Sequence, residues 1–257
     1  LALVVIGGNL DLSVGALLSL TLGLSISMAN TSTALAIVVP LAVGLGVGAA
    51  NGLIVGRFRV DSIILTLGSM AVINGFVQTY RKGNIVTGPM FTSYQEMTDA
   101  KLFSIPSYII AYFLIAILFQ FLLLKTSFGA RIVLQGENKE AAEIVGIKTR
   151  RVTLATFMIC GLSVGVASIL MGSRLLQGST NTGTGMEFDA LTAILIGGIS
   201  IYGGKGTILN AMVGVFLLAV IINGLTLLNV PFEWRNVAKG SMIIFAIGIE
   251  RLRRGRT

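Results

Sequence analysis

The sequence contains no histidine, a single cysteine and few charged residues. Without histidine, the chain lacks the commonest general base and the commonest metal ligand. Cys160 has no second cysteine to pair with and lies in an apolar run, which is typical of a small buried side chain. The acidic residues lie mostly in predicted loops. We therefore expect no catalytic residues and no metal site, which argues against a membrane enzyme.

Charged residues make up 12% of the chain and hydrophobic residues 54%, whereas soluble domains carry about 25% charged residues. Between the charged clusters lie apolar runs of about 20 residues, the length that crosses a hydrocarbon core of about 30 Å as a helix. The sequence therefore predicts an all-α, polytopic transmembrane helical bundle of about eight helices, surrounded by membrane lipid. The net charge of +8 comes from short loops between these runs, so it predicts orientation and not binding to nucleic acid.

The predicted helices form a single transmembrane domain over residues 1–257. They cover residues 12–29, 34–55, 62–80, 105–124, 152–171, 190–202, 207–228 and 236–249. If the basic C-terminal tail is inside, 13 of the 19 Lys and Arg residues are also inside. The charged stretch 125–151 is then cytoplasmic, and the polar loop after residue 80 is outside. The helix at 190–202 is short for a span and is a candidate re-entrant segment.

Two sets of residues stand out within the predicted helices. One is a four-residue repeat of glycine, which predicts close helix packing along one ridge: Gly44, Gly48, Gly52 and Gly56. The other contains polar side chains at membrane depth, which need partners on other helices or an aqueous path. Interhelical hydrogen bonding and a path for a neutral, hydroxyl-rich solute both fit this second set, and its candidate path residues are Asp11, Ser13, Asn51, Asn74, Gln78 and Asn223.

A short helix is predicted within the cytoplasmic stretch. Asn138 is suited to the N-cap, and Gly146 is suited to the C-terminal stop. Glu140 lies near the positive end of the helix, and we expect Ala141, Ala142 and Val145 to share one face. Because two turns are too short to be stable alone in water, the helix needs a surface to dock against. That surface can belong to a partner or to the chain itself.

Several motifs, in order along the whole chain, resemble the ribose/xylose/galactoside-type ABC transporter permease family. These motifs are Gly7-Gly8-Asn9-Leu10-Asp11-Leu12-Ser13-Val14-Gly15, Asn51-Gly52-Leu53-Ile54-Val55, Thr66-Leu67-Gly68, Gly136-Glu137-Asn138-Lys139-Glu140-Ala141-Ala142, Gly197-Gly198-Ile199-Ser200, Tyr202-Gly203-Gly204-Lys205-Gly206-Thr207 and Ile222-Asn223-Gly224-Leu225. The chain departs from the family pattern at Asn9-Leu10, where one small or apolar residue is usual before the Asp, and at Lys139, where proline is common.

The resemblance implies a membrane subunit of about ten helices with both termini in the cytoplasm. Since Leu1 is not methionine and opens an apolar run, we expect the chain to be a fragment that lacks one helix and part of another at its N-terminus. The loop 125–151 then carries the coupling helix that docks on an ATPase subunit, and its site residues are Gly136, Glu137, Asn138, Glu140, Ala141, Ala142 and Gly146.

By the same resemblance, the chain lies in the bacterial inner membrane and pairs with a second permease subunit, identical or different. A periplasmic binding protein delivers a pentose or hexose, and the partner ATPase binds and hydrolyses ATP. The chain itself then binds no cofactor and is not an enzyme. Nucleosides, branched-chain amino acids and a furanosyl signal are alternative solutes. A channel or carrier that works without an ATPase is the alternative mechanism, which the scarcity of intramembrane charge disfavours.

Overall fold

Lipid satisfies no backbone hydrogen bonds, so an apolar run that crosses a membrane forms a helix. The computed structural model describes residues 1–89, 93–102 and 104–254, without the side chains of Leu102, Arg253 and Arg254. The end of the predicted basic tail, residues 255–257, lies outside the described part. The helices there are α1 Ala2–Ile6, α2 Val14–Ala29, α3 Thr33–Phe58, α4 Ser62–Arg81, α5 Ser93–Asp99, α6 Ser107–Lys125, α7 Ser127–Glu137, α8 Lys139–Ile144, α9 Thr149–Leu175, α10 Met186–Ile196, α11 Ile208–Leu227 and α12 Phe232–Arg254.

Five of these helices, α3, α4, α6, α9 and α11, are long and apolar enough to cross a membrane, and α2 is a shorter apolar helix. The prediction of an all-α, polytopic membrane protein is confirmed. Four two-residue strands form two small antiparallel ladders in the described part: β1 Val86–Thr87 with β4 Gln177–Gly178, and β2 Lys101–Leu102 with β3 Ile105–Pro106.

Most predicted helix boundaries lie within a few residues of the observed ones. The prediction for residues 190–202 is wrong at both ends, because α10 begins at Met186 and stops at Ile196. Beyond it the backbone takes positive φ angles at Gly198, Gly203, Gly204 and Gly206, which a regular helix does not allow. The helices α5 and α7 were not predicted, since α5 is polar and α7 lies within the charged stretch 125–151, and both features are typical of loops.

The chain separates into two units. The first contains Leu1–Leu10, Leu118–Thr149 and Gly185–Thr257. Within it α10 packs against α11, where Gly214 lies too close to the Ala193 carbonyl to accommodate a Cβ. Lys239 on α12 pairs with Asp189 on α10, with 2.6 Å between Nζ and Oδ1.

The second unit contains Asp11–Ile117 and Arg150–Thr184. Part of its core joins α2 to α4 through Ala16, Leu17 and Leu20 with Ile73 and Val77. A second cluster packs α5 against α2, α3 and α9 around the buried ring of Tyr94. The Tyr94 hydroxyl lies 2.7 Å from Ser25 Oγ, and burial of the phenol raises its pKa.

Candidate functional site

The short helix α8 is closed by a hydrogen-bonded cap at each end. The Asn138 side chain accepts a hydrogen bond from the Ala141 N–H at 2.8 Å. At the other end, the Gly146 N–H donates to the Glu143 carbonyl and the Ile147 N–H to the Ala142 carbonyl. Gly146 has φ of +85°, so these two bonds form a Schellman motif. Together the caps stabilise a helix of 6 residues that is too short to persist alone.

The apolar side chains of this helix divide between a buried and an exposed surface. Ala142 is buried at 3% exposure, whereas Ala141 is exposed. Ile144 and Val145 are exposed at 85% and 72%. The expectation that Ala141, Ala142 and Val145 share one face is therefore wrong. The outward face contains Ala141, Ile144 and Val145, which follow the i, i+3, i+4 spacing of neighbours on a helix.

Charged side chains accompany the outward face. Glu137 and Glu140 are exposed, and Glu140 lies in the first turn, where the helix dipole favours negative charge. Glu143 accepts a hydrogen bond from the Thr149 hydroxyl at 2.6 Å, which ties the end of α8 to the first residue of α9. The helix therefore presents apolar and acidic groups to the surrounding water from a fixed base.

A glycine junction anchors the start of this segment within the first unit. Gly136 lies so close to the Ile6 carbonyl that a Cβ would overlap it, and the same Cβ would lie 2.5 Å from the Gly204 nitrogen. The Gly204 N–H donates to the Ile6 carbonyl at 2.8 Å, and Gln135 Nε2 donates to the Gly7 carbonyl at 3.1 Å. Backbone from three distant parts of the sequence therefore meets directly beside α8.

Three of the six predicted path residues meet within the second unit. The Asp11 carboxylate accepts a hydrogen bond from the Ser13 hydroxyl at 2.6 Å, and Asn51 Nδ2 donates to that same hydroxyl at 3.1 Å. All three side chains are at least 97% buried. Beside them, the Leu12 N–H donates to Thr66 Oγ1 at 3.1 Å. These partners meet the need of polar groups at membrane depth for hydrogen bonds.

The other predicted path residues lie apart from this cluster. Asn74 is half-buried on α4, and Gln78 is exposed one turn further along the same helix. Asn223 is exposed on α11 in the first unit. The structure thus joins Asp11, Ser13 and Asn51 by hydrogen bonds and does not add Asn74, Gln78 or Asn223 to that network.

The four glycines of the α3 ridge all lie against α9. Gly44 meets the backbone of Gly161, and Gly48 meets the backbone of Phe157 and Met158. A Cβ on Gly52 would lie 2.9 Å from the Leu154 Cα, and one on Gly56 would lie 3.0 Å from the carbonyl oxygen at position 150. Absence of a side chain at every fourth residue lets the two backbones come into contact.

Sequence reasoning missed the partners of these residues. Gln135 was not singled out, because a single polar residue beside a motif carries no distinguishing pattern, and Thr66 was quoted only as part of a family motif without a partner. The buried Arg81 at the end of α4 was counted only as a charge for orientation. The paired glycines at positions 7–8 and 203–204 were a usable signal, since such pairs mark close backbone approach.

Comparison with known proteins assigns the chain to a family. A family model described as the permease component of the branched-chain amino acid transport system matches residues 1–247. The ribose import permease protein of Bacillus subtilis (strain 168) is 34% identical over 252 residues, covering 96% of this chain and 78% of the relative. The L-arabinose ABC transporter permease protein of Azospirillum brasilense is 30% identical over 208 residues, covering 80% of this chain and 60% of the relative.

The ribose import permease protein of Escherichia coli (strain K12) is 29% identical over 259 residues, covering 97% of this chain and 79% of the relative. No solved structure gives a significant match. The family model extends over the α8 segment, the glycine junction and the polar cluster, so it covers every site described above. The chain belongs to the permease family of the branched-chain amino acid transport system type.

Proposed function

We propose that this chain is the membrane-spanning subunit of an ATP-driven importer that translocates a monosaccharide, a pentose or a hexose. A periplasmic binding protein delivers the sugar, and a partner ATPase binds and hydrolyses the ATP. A second permease subunit, identical or different, completes the path through the inner membrane. The chain makes and breaks no covalent bond in the sugar. Its own task is mechanical.

The exposed apolar face of α8 is the observation that carries this proposal. Exposure of Ile144 and Val145 to water does not stabilise a helix of 6 residues. Burial of each side chain against another protein would contribute about 1.5–3 kcal/mol. A capped and anchored helix with such a face is suited to insertion into a groove on another protein. The cytoplasmic ATPase is the partner that this location and the family indicate. The loop 125–151 is then the cytoplasmic coupling loop of a single permease domain.

Force applied to α8 would pass into the membrane part through the glycine junction. Gly136 touches the backbone that follows α1 and the backbone that follows α10, so displacement of the segment displaces both. Closely packed backbone transmits strain because it has little room to relax. This arrangement supports the assignment of Gly136, Glu137, Asn138, Glu140, Ala141, Ala142 and Gly146 to coupling.

The cluster of Asp11, Ser13 and Asn51 is proposed as part of the solute path. Hydroxyl, carboxylate and amide groups are complementary to the hydroxyls of a sugar. Asn74, Gln78 and Asn223 are proposed for the same path on their polarity at membrane depth. The assignment of a sugar as the solute rests on the names of the relatives. The family description supports branched-chain amino acids as the second candidate solute.

The coupling assignment can be tested with Ile144→Asp. We expect this variant to bind the ATPase at least about 30-fold more weakly, since an apolar anchor at an interface contributes about 2 kcal/mol or more. Co-purification with the ATPase and ATP-dependent uptake into proteoliposomes, in the presence of the binding protein, measure the effect. Ribose, xylose, arabinose and galactose are compared with leucine as solutes.

Arg131→Gln is the matched control, because Arg131 is exposed on α7 in the same cytoplasmic stretch. It should leave both ATPase binding and uptake close to the parent values. Full ATPase binding by the Ile144→Asp variant would refute docking through α8. Uptake of leucine without uptake of any sugar would show that the solute is an amino acid and would leave the ATP-driven mechanism unchanged.

A further inference from the structure

Arg81, the last residue of α4, is a buried cation that the coupling mechanism does not use. Only 7% of its surface is exposed. Its Nη1 donates to the Ser179 carbonyl at 3.1 Å, and its Nη2 donates to the Gly178 carbonyl. Its Nε is buried without a hydrogen-bond partner among the described residues. Both acceptors are neutral, so the guanidinium is held by hydrogen bonds to backbone and not by a carboxylate.

A buried charge is costly unless its hydrogen bonds compensate for lost hydration. A leucine or methionine would fill the same space beside Gly23 at lower desolvation cost. The planar fork of an arginine, however, reaches two successive carbonyls from one fixed position, which no apolar side chain can do. The chemistry of Arg81 therefore matches the task of fixing one backbone segment.

That segment consists of residues 177–184 and is called the strap below. It begins with β4, where Gly178 pairs with Val86, and it is rich in hydroxyl and amide side chains. Further along, the Gly183 N–H donates to Ser19 Oγ on α2 at 2.8 Å. Gly183 also lies too close to the Gly15 carbonyl to accommodate a Cβ. The strap therefore rests directly on α2, and its attachments are the β1–β4 ladder, Arg81 and Ser19.

The backbone on either side of the strap is in the left-handed region. Leu176 has φ of +51° before the strap, and Gly185 has φ of +86° after it. For leucine this conformation is strained, and it persists only where surrounding contacts impose it. Backbone hydrogen bonds to Gly88 and Gly172 hold Leu176 itself. Removal of the contacts made by Arg81 would leave the strap attached by the β1–β4 ladder at its start and by Ser19 near its end, so the part between them could move away from α2.

The strap continues a polar stripe on α4. Asn74 and Gln78 precede Arg81 by seven and three residues, so the three side chains project from one side of the helix. Hydroxyl-rich and amide-rich surfaces of this kind interact with a neutral polyol through hydrogen bonds. The orientation predicted from the Lys and Arg distribution places Arg81 and the strap at the outer end of the unit, where solute enters.

We propose that Arg81 is a positioning residue that holds the strap on α2, and that the strap must leave α2 before the solute can enter. This proposal rests on the proposed import function, because movement of the strap controls solute entry only if the chain is part of an importer. It assigns to Arg81 a control of solute entry that is separate from the coupling helix. The strap in its present position is the closed arrangement.

The test measures how accessible the strap is to a thiol reagent. Cys160→Ala removes the single native cysteine, and Thr180→Cys places a reporter at a half-buried position in the strap. The purified protein in detergent is labelled with a hydrophilic maleimide. We expect Arg81→Gln to raise the labelling rate about tenfold or more, because hydrogen bonds from a charged group to backbone are lost. Lys82→Gln, at the exposed neighbouring position, should leave the rate unchanged.

A second reporter, Lys101→Cys, separates strap release from general loosening, because Lys101 is exposed in β2, which pairs with β3 and not with the strap. Its labelling rate should not respond to Arg81→Gln. Arg81→Lys keeps the charge but loses the fork, and Ser19→Ala removes the other side-chain attachment. Both should raise labelling at position 180 to a smaller degree. Unchanged labelling at position 180 in all three variants, or equal acceleration at both reporters, would overturn the proposal.

Uptake assays then connect the strap to transport. With the strap released, we expect ATP hydrolysis in the absence of solute to rise relative to the parent, while ATPase binding through α8 is unchanged. Absence of any solute uptake by the parent protein would contradict the proposed import function and leave the labelling result intact. Normal uptake together with normal solute dependence of ATP hydrolysis in Arg81→Gln would contradict only the role of Arg81.

Discussion

Glycine serves different purposes in the two units. In the glycine junction of the first unit, Gly136 meets backbone from two segments that are remote in sequence, and the hydrogen bond from the Gly204 N–H to the Ile6 carbonyl joins those two segments to each other. In the second unit, the ridge of Gly44, Gly48, Gly52 and Gly56 lies along one helix and contacts one other helix. The junction is a single point of three-way contact, and the ridge is a repeated two-way contact.

This difference predicts how each region responds to an added side chain. A ridge spreads a disturbance over more than three helical turns, and two helices with small side chains at the contact can separate by a few tenths of an ångström. At the junction, a displacement of any one segment breaks hydrogen bonds made by the others. We therefore expect the junction to be less tolerant than the ridge, although both are built from the same residue.

The largest effect is expected for Gly136→Val. Its side chain would overlap the Ile6 carbonyl and the Gly204 backbone, so we expect destabilisation at or above the upper end of the about 1–3 kcal/mol that overpacking costs. Thermal unfolding of the purified protein measures it. Gly240→Ala on α12 is the control, since no atom lies within 4 Å of the added Cβ. An unfolding temperature for Gly136→Val equal to that of the parent would remove the distinction between the two regions.

An intermediate effect is expected for Gly52→Ala on the ridge. The new Cβ would lie 2.8 Å from the Phe157 Cβ, so α3 and α9 must separate slightly, at a cost of about 1–2 kcal/mol. Gly46→Ala lies on the same helix with nothing within 4 Å, and it should be neutral or stabilise α3 by up to about 1 kcal/mol. Thermal unfolding of both purified variants, without added denaturant, compares their stabilities. Equal stability would show that the spacing of the ridge has no packing role.

The smallest effect on stability is expected for Asn51→Leu, next to the ridge glycine. Asn51 turns toward Ser13 whereas Gly52 faces α9, so the substitution removes one hydrogen bond and leaves the ridge intact. We expect a loss of about 0.5–1.5 kcal/mol in stability. If the polar cluster lines the solute path, uptake should fall far more than stability does. Unchanged uptake, with correct membrane insertion, would restrict Asn51 to a structural role.

Much of the fold could be predicted from the sequence. The long apolar runs predict α3, α4, α6, α9 and α11, because lipid allows an isolated apolar segment few alternatives to a helix. The four-residue glycine spacing predicts a contact face on α3. The caps of α8 follow from Asn138 and Gly146, since both act within one turn of the helix.

The remainder depends on contacts between residues far apart in the chain. The end of α10 at Ile196 was missed because the apolar composition continues into the following glycine-rich turn. The glycine junction was missed because Ile6, Gly136 and Gly204 are brought together only by the folded chain. Arg81 was counted only as a charge because its acceptors are backbone carbonyls, which have no sequence signature. The burial of Ala142 depends in the same way on tertiary packing.

The length of α10 has a consequence for the way the chain passes through the bilayer. Its 11 residues extend about 16 Å, roughly half of a hydrocarbon core about 30 Å thick. Irregular backbone follows α10, so the carbonyls and amides of that turn have no helical partners and need other hydrogen bonds. Asn210 Nδ2 reaches the Gly197 carbonyl at 2.9 Å, and Glu250 accepts from the Ile201 N–H at 3.2 Å. These two side chains replace the backbone partners that a longer helix would have supplied, so a substitution that removes either of them leaves a backbone group of the turn without this hydrogen bond.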